Sequence, residues 1–169
     1  WISCDVNNDN LSGFTVNAEG QVLGLINSWD SNYENCTCEL VTISKQPYDP
    51  STEKTVLTLA TQYVNWNDRD TIINFNRNSD KYRIEVLDYS EYNTEDDYEA
   101  GLTKLKTEIM AGNLPDIICL NGLDGSLLSA KGLIVDLYPY MDADSEFSRD
   151  DFFPNVLKAV EENGKLYST

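Results

Sequence analysis

Apolar and polar positions alternate along the first quarter of the chain. Phe14-Thr15-Val16 and Val22-Leu23-Gly24-Leu25-Ile26 flank the polar stretch Asn17-Ala18-Glu19-Gly20. Glycine adopts positive φ at no steric cost, so this spacing predicts a β-hairpin. Cys38-Glu39-Leu40-Val41-Thr42-Ile43 alternates again and predicts a third strand, with Ile2 as a candidate for a fourth. A lone meander of this size is marginal in water. Residues 46–53 then carry two prolines and no periodicity. They divide a β-meander over 1–48 and a linker over 49–53 from the remainder, 54–169.

The remainder alternates strand and helix. Thr55-Val56-Leu57-Thr58-Leu59-Ala60 is an apolar, β-branched run suited to a buried parallel strand. Asp68 is a candidate cap for a helix whose inward side carries Ile72, Ile73 and Phe75 and which ends near Asn78. Tyr82, Ile84, Val86 and Leu87 mark a second strand running to Tyr89. Thr94-Glu95-Asp96-Asp97 resembles a capping box, followed by a helical stripe of Tyr98, Leu102, Leu105 and Ile109 closed by Gly112. Pro115-Asp116 leads into a third buried strand, Ile117-Ile118-Cys119-Leu120. Leu127, Leu128 and Ala130 predict a short helix stopped by Gly132, and 133–137 a short extended piece. Ser148 with Asp151 is expected to cap a last helix that buries Phe152, Val156 and Val160, is kinked at Pro154, and stops at Asn163-Gly164. The expected fold class is therefore α/β: a parallel open sheet with flanking helices, preceded by a small antiparallel β-meander.

Charge narrows the partners. Lys+Arg is 12 and Asp+Glu is 29, giving a net charge of −17. A surface of that sign repels nucleic-acid backbones and anionic lipid. With 41% hydrophobic and 11% aromatic residues the chain is too apolar for disorder. No apolar run approaches the roughly 20 residues of a membrane-spanning helix. The chain starts at Trp1 with no leader pattern and is expected to be a piece of a longer one.

There is no histidine, which removes the commonest general base and metal ligand together with every Ser-His-Asp and Cys-His arrangement. Cys36-Thr37-Cys38 puts two thiols on one face of a strand, as a strained local disulfide or as free thiols, and Cys119 suits a small core position. No metal or cofactor site is read. Asp142-Ala143-Asp144-Ser145-Glu146 lacks the glycine and terminal glutamate of a calcium loop, and an acidic turn is expected. Asp88, Glu91 and Asp124 are loop carboxylates, but nothing pairs them as a glycosidase requires. The sequons at Asn10 and Asn35 are too short to carry weight.

In open parallel sheets, ligands bind beyond the carboxyl ends of the strands. Those ends are residues 61–66, 88–93 and 121–124, rich in aromatic and amide side chains and without a phosphate-binding glycine loop.

Two resemblances follow. The hairpin segment Gly13-Phe14-Thr15-Val16-Asn17-Ala18-Glu19-Gly20-Gln21-Val22 resembles a β-propeller blade, with a plain meander as the alternative. Residues 54–169 resemble the first lobe of the extracellular solute-binding proteins that serve sugar ABC importers, the maltose-binding-like group. The carriers are Val56-Leu57-Thr58-Leu59-Ala60-Thr61 and Ile109-Met110-Ala111-Gly112-Asn113-Leu114-Pro115-Asp116-Ile117-Ile118, then Ala130-Lys131-Gly132-Leu133-Ile134-Val135-Asp136-Leu137 and Asn163-Gly164-Lys165-Leu166-Tyr167. The resemblance implies a two-lobed, non-enzymatic receptor at the cell surface, periplasmic or lipid-anchored. It would close on a mono- or oligosaccharide and hand it to an ABC permease, its second lobe lying beyond this sequence. It places ligand contacts on the loops 61–66 and 120–124, which hold Gln62, Tyr63, Asn65, Trp66, Asn121 and Asp124, and the strand-end chemistry adds Tyr89: aromatic faces for the C–H side of a sugar ring, amides and carboxylates for its hydroxyls. Tyr89 and Tyr92 could instead pack on their own helix. Leu120 and Asn121 stand where some relatives carry a stacking aromatic. The alternatives are a surface sensor built on a β-propeller and, further off, an acid-paired glycoside hydrolase.

Overall fold

The computed structural model describes residues 5–7, 10–29, 32–45, 47 and 53–168. Ile2 and Cys4 lie outside them, as does the linker apart from Glu53. The chain is α/β, with a three-stranded antiparallel sheet, a three-stranded parallel sheet and a two-stranded antiparallel hairpin among the described residues. It forms two compact units, Trp1–Leu59 with Tyr63–Asp88, and Ala60–Gln62 with Tyr89–Thr169.

In the first unit, β1 (Leu11–Val16), β2 (Val22–Trp29) and β3 (Cys36–Ile43) pair antiparallel in that order. The first turn works as the sequence predicts. Gly20 has φ +78°, and Asn17 Oδ1 accepts from Glu19 and Gln21 N–H at 3.0 and 2.9 Å. Cys36 and Cys38 are exposed free thiols on β3. β4 (Thr55–Thr61) pairs with β5 (Tyr82–Asp88), and α1 (Trp66–Asn78) packs on β5. Asn65, not Asp68, caps α1. Its Oδ1 accepts from Asp68 N–H at 2.9 Å and its Nδ2 donates to Asp68 Oδ2 at 2.6 Å, a reciprocal box with Asp68 in its third position. Ile72 and Ile73 are buried as expected, but Phe75 is 38% exposed and the buried place is taken by Asn76. That amide substitutes for a strand neighbour: Nδ2 donates to Ile84 O at 3.0 Å and Oδ1 accepts from Ile84 N–H at 2.7 Å. The segment before β1 is tied to the same elements. Asp5 pairs with Arg83 at 2.7 Å, and Asn7 Nδ2 donates to Asp70 Oδ1 at 2.6 Å.

The second unit holds α2 (Ala100–Met110), β6 (Ile117–Ile118), α3 (Gly125–Ala130), α4 (Tyr138–Ala143), α5 (Pro154–Val160) and the hairpin β7 (Glu161–Glu162) and β8 (Lys165–Leu166). Leu102, Leu105 and Ile109 face inward, but Tyr98 lies before the helix and is 74% exposed. Thr94 to Asp97 closes a turn on itself (Asp97 N–H to Thr94 Oγ1, 3.0 Å) instead of capping α2. Gly112 and Gly132, at φ +90° and +68°, end α2 and α3 with Schellman hydrogen bonds, Asn113 N–H to Glu108 O and Leu133 N–H to Leu128 O. The third strand shortens to two residues, and 133–137 forms no strand. The Ser148–Asp151 box caps a separate 3-10 turn, Arg149–Asp151. Pro154 therefore starts α5 at a position that needs no N–H, without kinking it. Leu157 is the buried residue of α5, while Val156 and Val160 are exposed and Phe152 is half-buried. Asn163 and Gly164 (φ +53° and +76°) form the two-residue turn of the β7–β8 hairpin instead of stopping a helix.

Two apolar clusters form the core of this unit. One joins Ala60, Tyr89, Leu105, Ile109 and Leu128; the other joins Tyr138, Met141, Leu157 and Leu166. Asp136 connects the loop after α3 to β8. Its Oδ1 accepts from Tyr138 and Leu166 N–H, both at 3.1 Å, while Leu137 N–H donates to Leu166 O at 2.7 Å. The acidic turn forms as expected: Asp144 Oδ1 accepts from Glu146 and Phe147 N–H, and Asp142 pairs with Arg149.

Candidate functional site

β4 carries the chain to the site. Its last residues are small and buried, Ala60 and Thr61, and Ala60 O accepts from Cys119 N–H at 2.9 Å, joining β4 to the β6 segment. Gln62 follows directly. Beyond β6 the chain turns through Asn121-Gly122, closed by Leu123 N–H to Leu120 O at 2.9 Å. Gly122 sits at φ +74°, and a β-carbon there would lie 2.9 Å from Leu102 Cδ2 and 3.4 Å from Gln62 Oε1. The conformation demands glycine, while a β-carbon would only press on the movable end of Leu102, and the turn lies beside the Gln62 amide. The Asn121 side chain is exposed at the same turn.

The other expected contacts divide. Asp124 caps α3, its Oδ1 accepting from Leu127 N–H at 3.0 Å. Tyr89 takes the packing alternative. Its ring is in the core and its hydroxyl donates to Glu108. Burial, and then the Glu108 carboxylate, push the phenol up to about 12. Lys104, 2.6 Å away, and then the Tyr89 hydroxyl hold Glu108 below the usual carboxylate range. The exposed Tyr92 ring lies under the Lys104 ammonium at 4.7 Å. In the first unit, Tyr63 is exposed, Asn65 spends its amide on the α1 cap, and Trp66 is the first residue of α1, its side chain outside the described part. The second unit thus brings Gln62 together with the Asn121-Gly122 turn, without an aromatic face from Tyr89.

Reasoning from loops missed a feature of the first unit, a cleft of 430 Å³ between the meander and α1. Its residues are far apart in sequence. The legible signal was a pair of aromatics, Trp29 and Tyr33, around a polar loop.

No protein-family profile, curated protein or solved structure matches this chain. Among the described residues no helix is long and apolar enough to cross a membrane.

Proposed function

We propose that the chain captures a neutral mono- or oligosaccharide without turning it over, as the first lobe of a two-lobed, hinge-closing surface receptor that delivers its ligand to an ABC permease. One observation carries this reading: the Gln62 amide and the Asn121-Gly122 turn meet at the carboxyl ends of adjacent strands. This is the place where open α/β sheets bind ligands. Planar amides that both donate and accept suit sugar hydroxyls. Support also comes from Asp136, which ties together two of the segments on which the resemblance rests. A second reading, a surface sensor whose meander is one propeller blade, is favoured by the exposed Phe14, Val16, Leu25 and Leu40.

Calorimetry of the chain against a panel of neutral sugars tests the receptor. The expected result is saturable heat with no release of reducing ends, weakened at least tenfold in Gln62→Ala and Asn121→Ala. No heat from any sugar, or heat unchanged in both variants, refutes it. Sustained turnover returns the hydrolase.

A further inference from the structure

The cleft of the first unit has a chemistry of its own. Ile26 of β2 and Ile73 of α1, both buried, lie at its base. Glu39 pairs across the ladder with Ile26, so its side chain leaves the same face of the sheet. From α1 come Asp70, Asn74 and Arg77, one helical turn apart. Asp70 is set by Asn7, which donates to it at 2.6 Å. Arg77 is held by its Nε, which donates to Asp5 O at 2.9 Å.

Two aromatic side chains stand at this cleft in water. Trp29 is 58% exposed at the last position of β2, and Tyr33, in the connection to β3, is 72% exposed. Tyr33 also holds φ at +58°, a left-handed conformation that costs a bulky residue about 1–2 kcal/mol. Exposed rings on a strained backbone contribute little to a core, and such strain clusters at binding sites.

We infer that this cleft is a binding site for a neutral sugar ring, held against both the Trp29 and Tyr33 rings and hydrogen-bonded by Glu39, Asp70, Asn74 and Arg77. Its electrostatics narrow the class: Glu39, Asp70 and a chain charge of −17 disfavour a phosphate or carboxylate, while an ammonium is opposed by Arg77 alone and is the alternative that a cationic control tests. Vicinal hydroxyls, which donate and accept together, match a wall that mixes carboxylates, an amide and a guanidinium. The volume of 430 Å³ falls within the roughly 300–1,000 Å³ typical of small-molecule pockets. The residues are distinct from Gln62 and Asn121, so this site stands independently of the receptor reading.

The test is a nuclear magnetic resonance titration of the chain. Glucose, galactose, mannose, N-acetylglucosamine and maltose are added separately, with choline as a cationic control. The Trp29 indole N–H signal, identified by its loss in Trp29→Phe, should shift saturably with at least one sugar. The apparent Kd should rise at least tenfold in Tyr33→Ala and Glu39→Gln and stay within twofold in Gln62→Ala. Both weakened positions are exposed, and circular dichroism checks their fold. If no sugar moves the Trp29 signal, or choline alone does, the inference is overturned. Shifts confined to Gln62 and Asn121 would also overturn it while leaving the receptor reading intact. Shifts confined to the cleft would do the reverse.

Discussion

Replacing Asp136 with alanine removes one carboxylate oxygen that serves two backbone donors. The Leu166 N–H belongs to a residue with 0% exposure, so once orphaned it cannot turn to water. Leaving such a donor unpaired costs about 1–3 kcal/mol. The Tyr138 N–H, in the first turn of α4, belongs to a residue that is 4% exposed and is orphaned in the same way. Together the loss is about 2–6 kcal/mol. Asp136→Asn keeps an oxygen in place and should cost about 1 kcal/mol. Urea melts should show a lower midpoint at unchanged slope. Hydrogen exchange localises the effect, since 2 kcal/mol is a roughly 30-fold rise in the rate of the Leu166 amide. If that amide exchanges within threefold of its original rate in Asp136→Ala, the carboxylate is not what holds β8 and the reasoning fails.

Other outcomes follow from single contacts. Gly101→Ala puts a β-carbon 1.9 Å from Tyr89 O, a backbone atom that cannot step aside; it should cost about 3 kcal/mol in a urea melt, whereas the same change in an open helix stabilises by up to about 1. Asn65→Ala removes the α1 cap and should lower stability by about 1 kcal/mol, read from the urea midpoint. Tyr89 has its pKa raised to about 12, so the folded state holds a proton that the unfolded state releases near pH 10. Its contribution is complete below pH 10 and lost as pH climbs toward 12, so alkaline melts of Tyr89→Phe should fall less steeply over that window. Glu108 runs the opposite way: its lowered pKa makes its contribution full above the usual carboxylate range and lost on acidification, and Glu108→Gln should flatten the acid limb.

Much of the architecture was legible because it is local. The hairpin at Asn17–Gly20 and the glycine ends of α2 and α3 depend on residues within a few positions of one another. Errors arose where two neighbours could do one task. Asn65 and Asp68 both suit a cap, and the choice went to the residue whose amide can donate and accept together. Phe75 lost its inward place to Asn76 because an amide can complete the edge hydrogen bonds of Ile84 and a phenyl ring cannot. Asn163-Gly164 reads equally as a helix stop or a hairpin turn, and α5 had already ended at Val160. The site was less legible because its partners are distant. Glu108, which engages Tyr89, is 19 positions away, and Asp70 meets Asn7 across 63.

The β1–β3 meander has a consequence for how the chain acquires its structure. Phe14 and Val16 leave one face, Leu25 and Leu40 the other, all in water, and among the described residues β1 and β3 are both edges. Strands wet on both sides have weakly specified register. Here the pairing falls chiefly to the Asn17–Gly20 turn and to the side chains of β2 nearest α1. The meander should therefore zip late, from its turn outward, and its free edges are where a second strand, native or foreign, would add during refolding at high concentration.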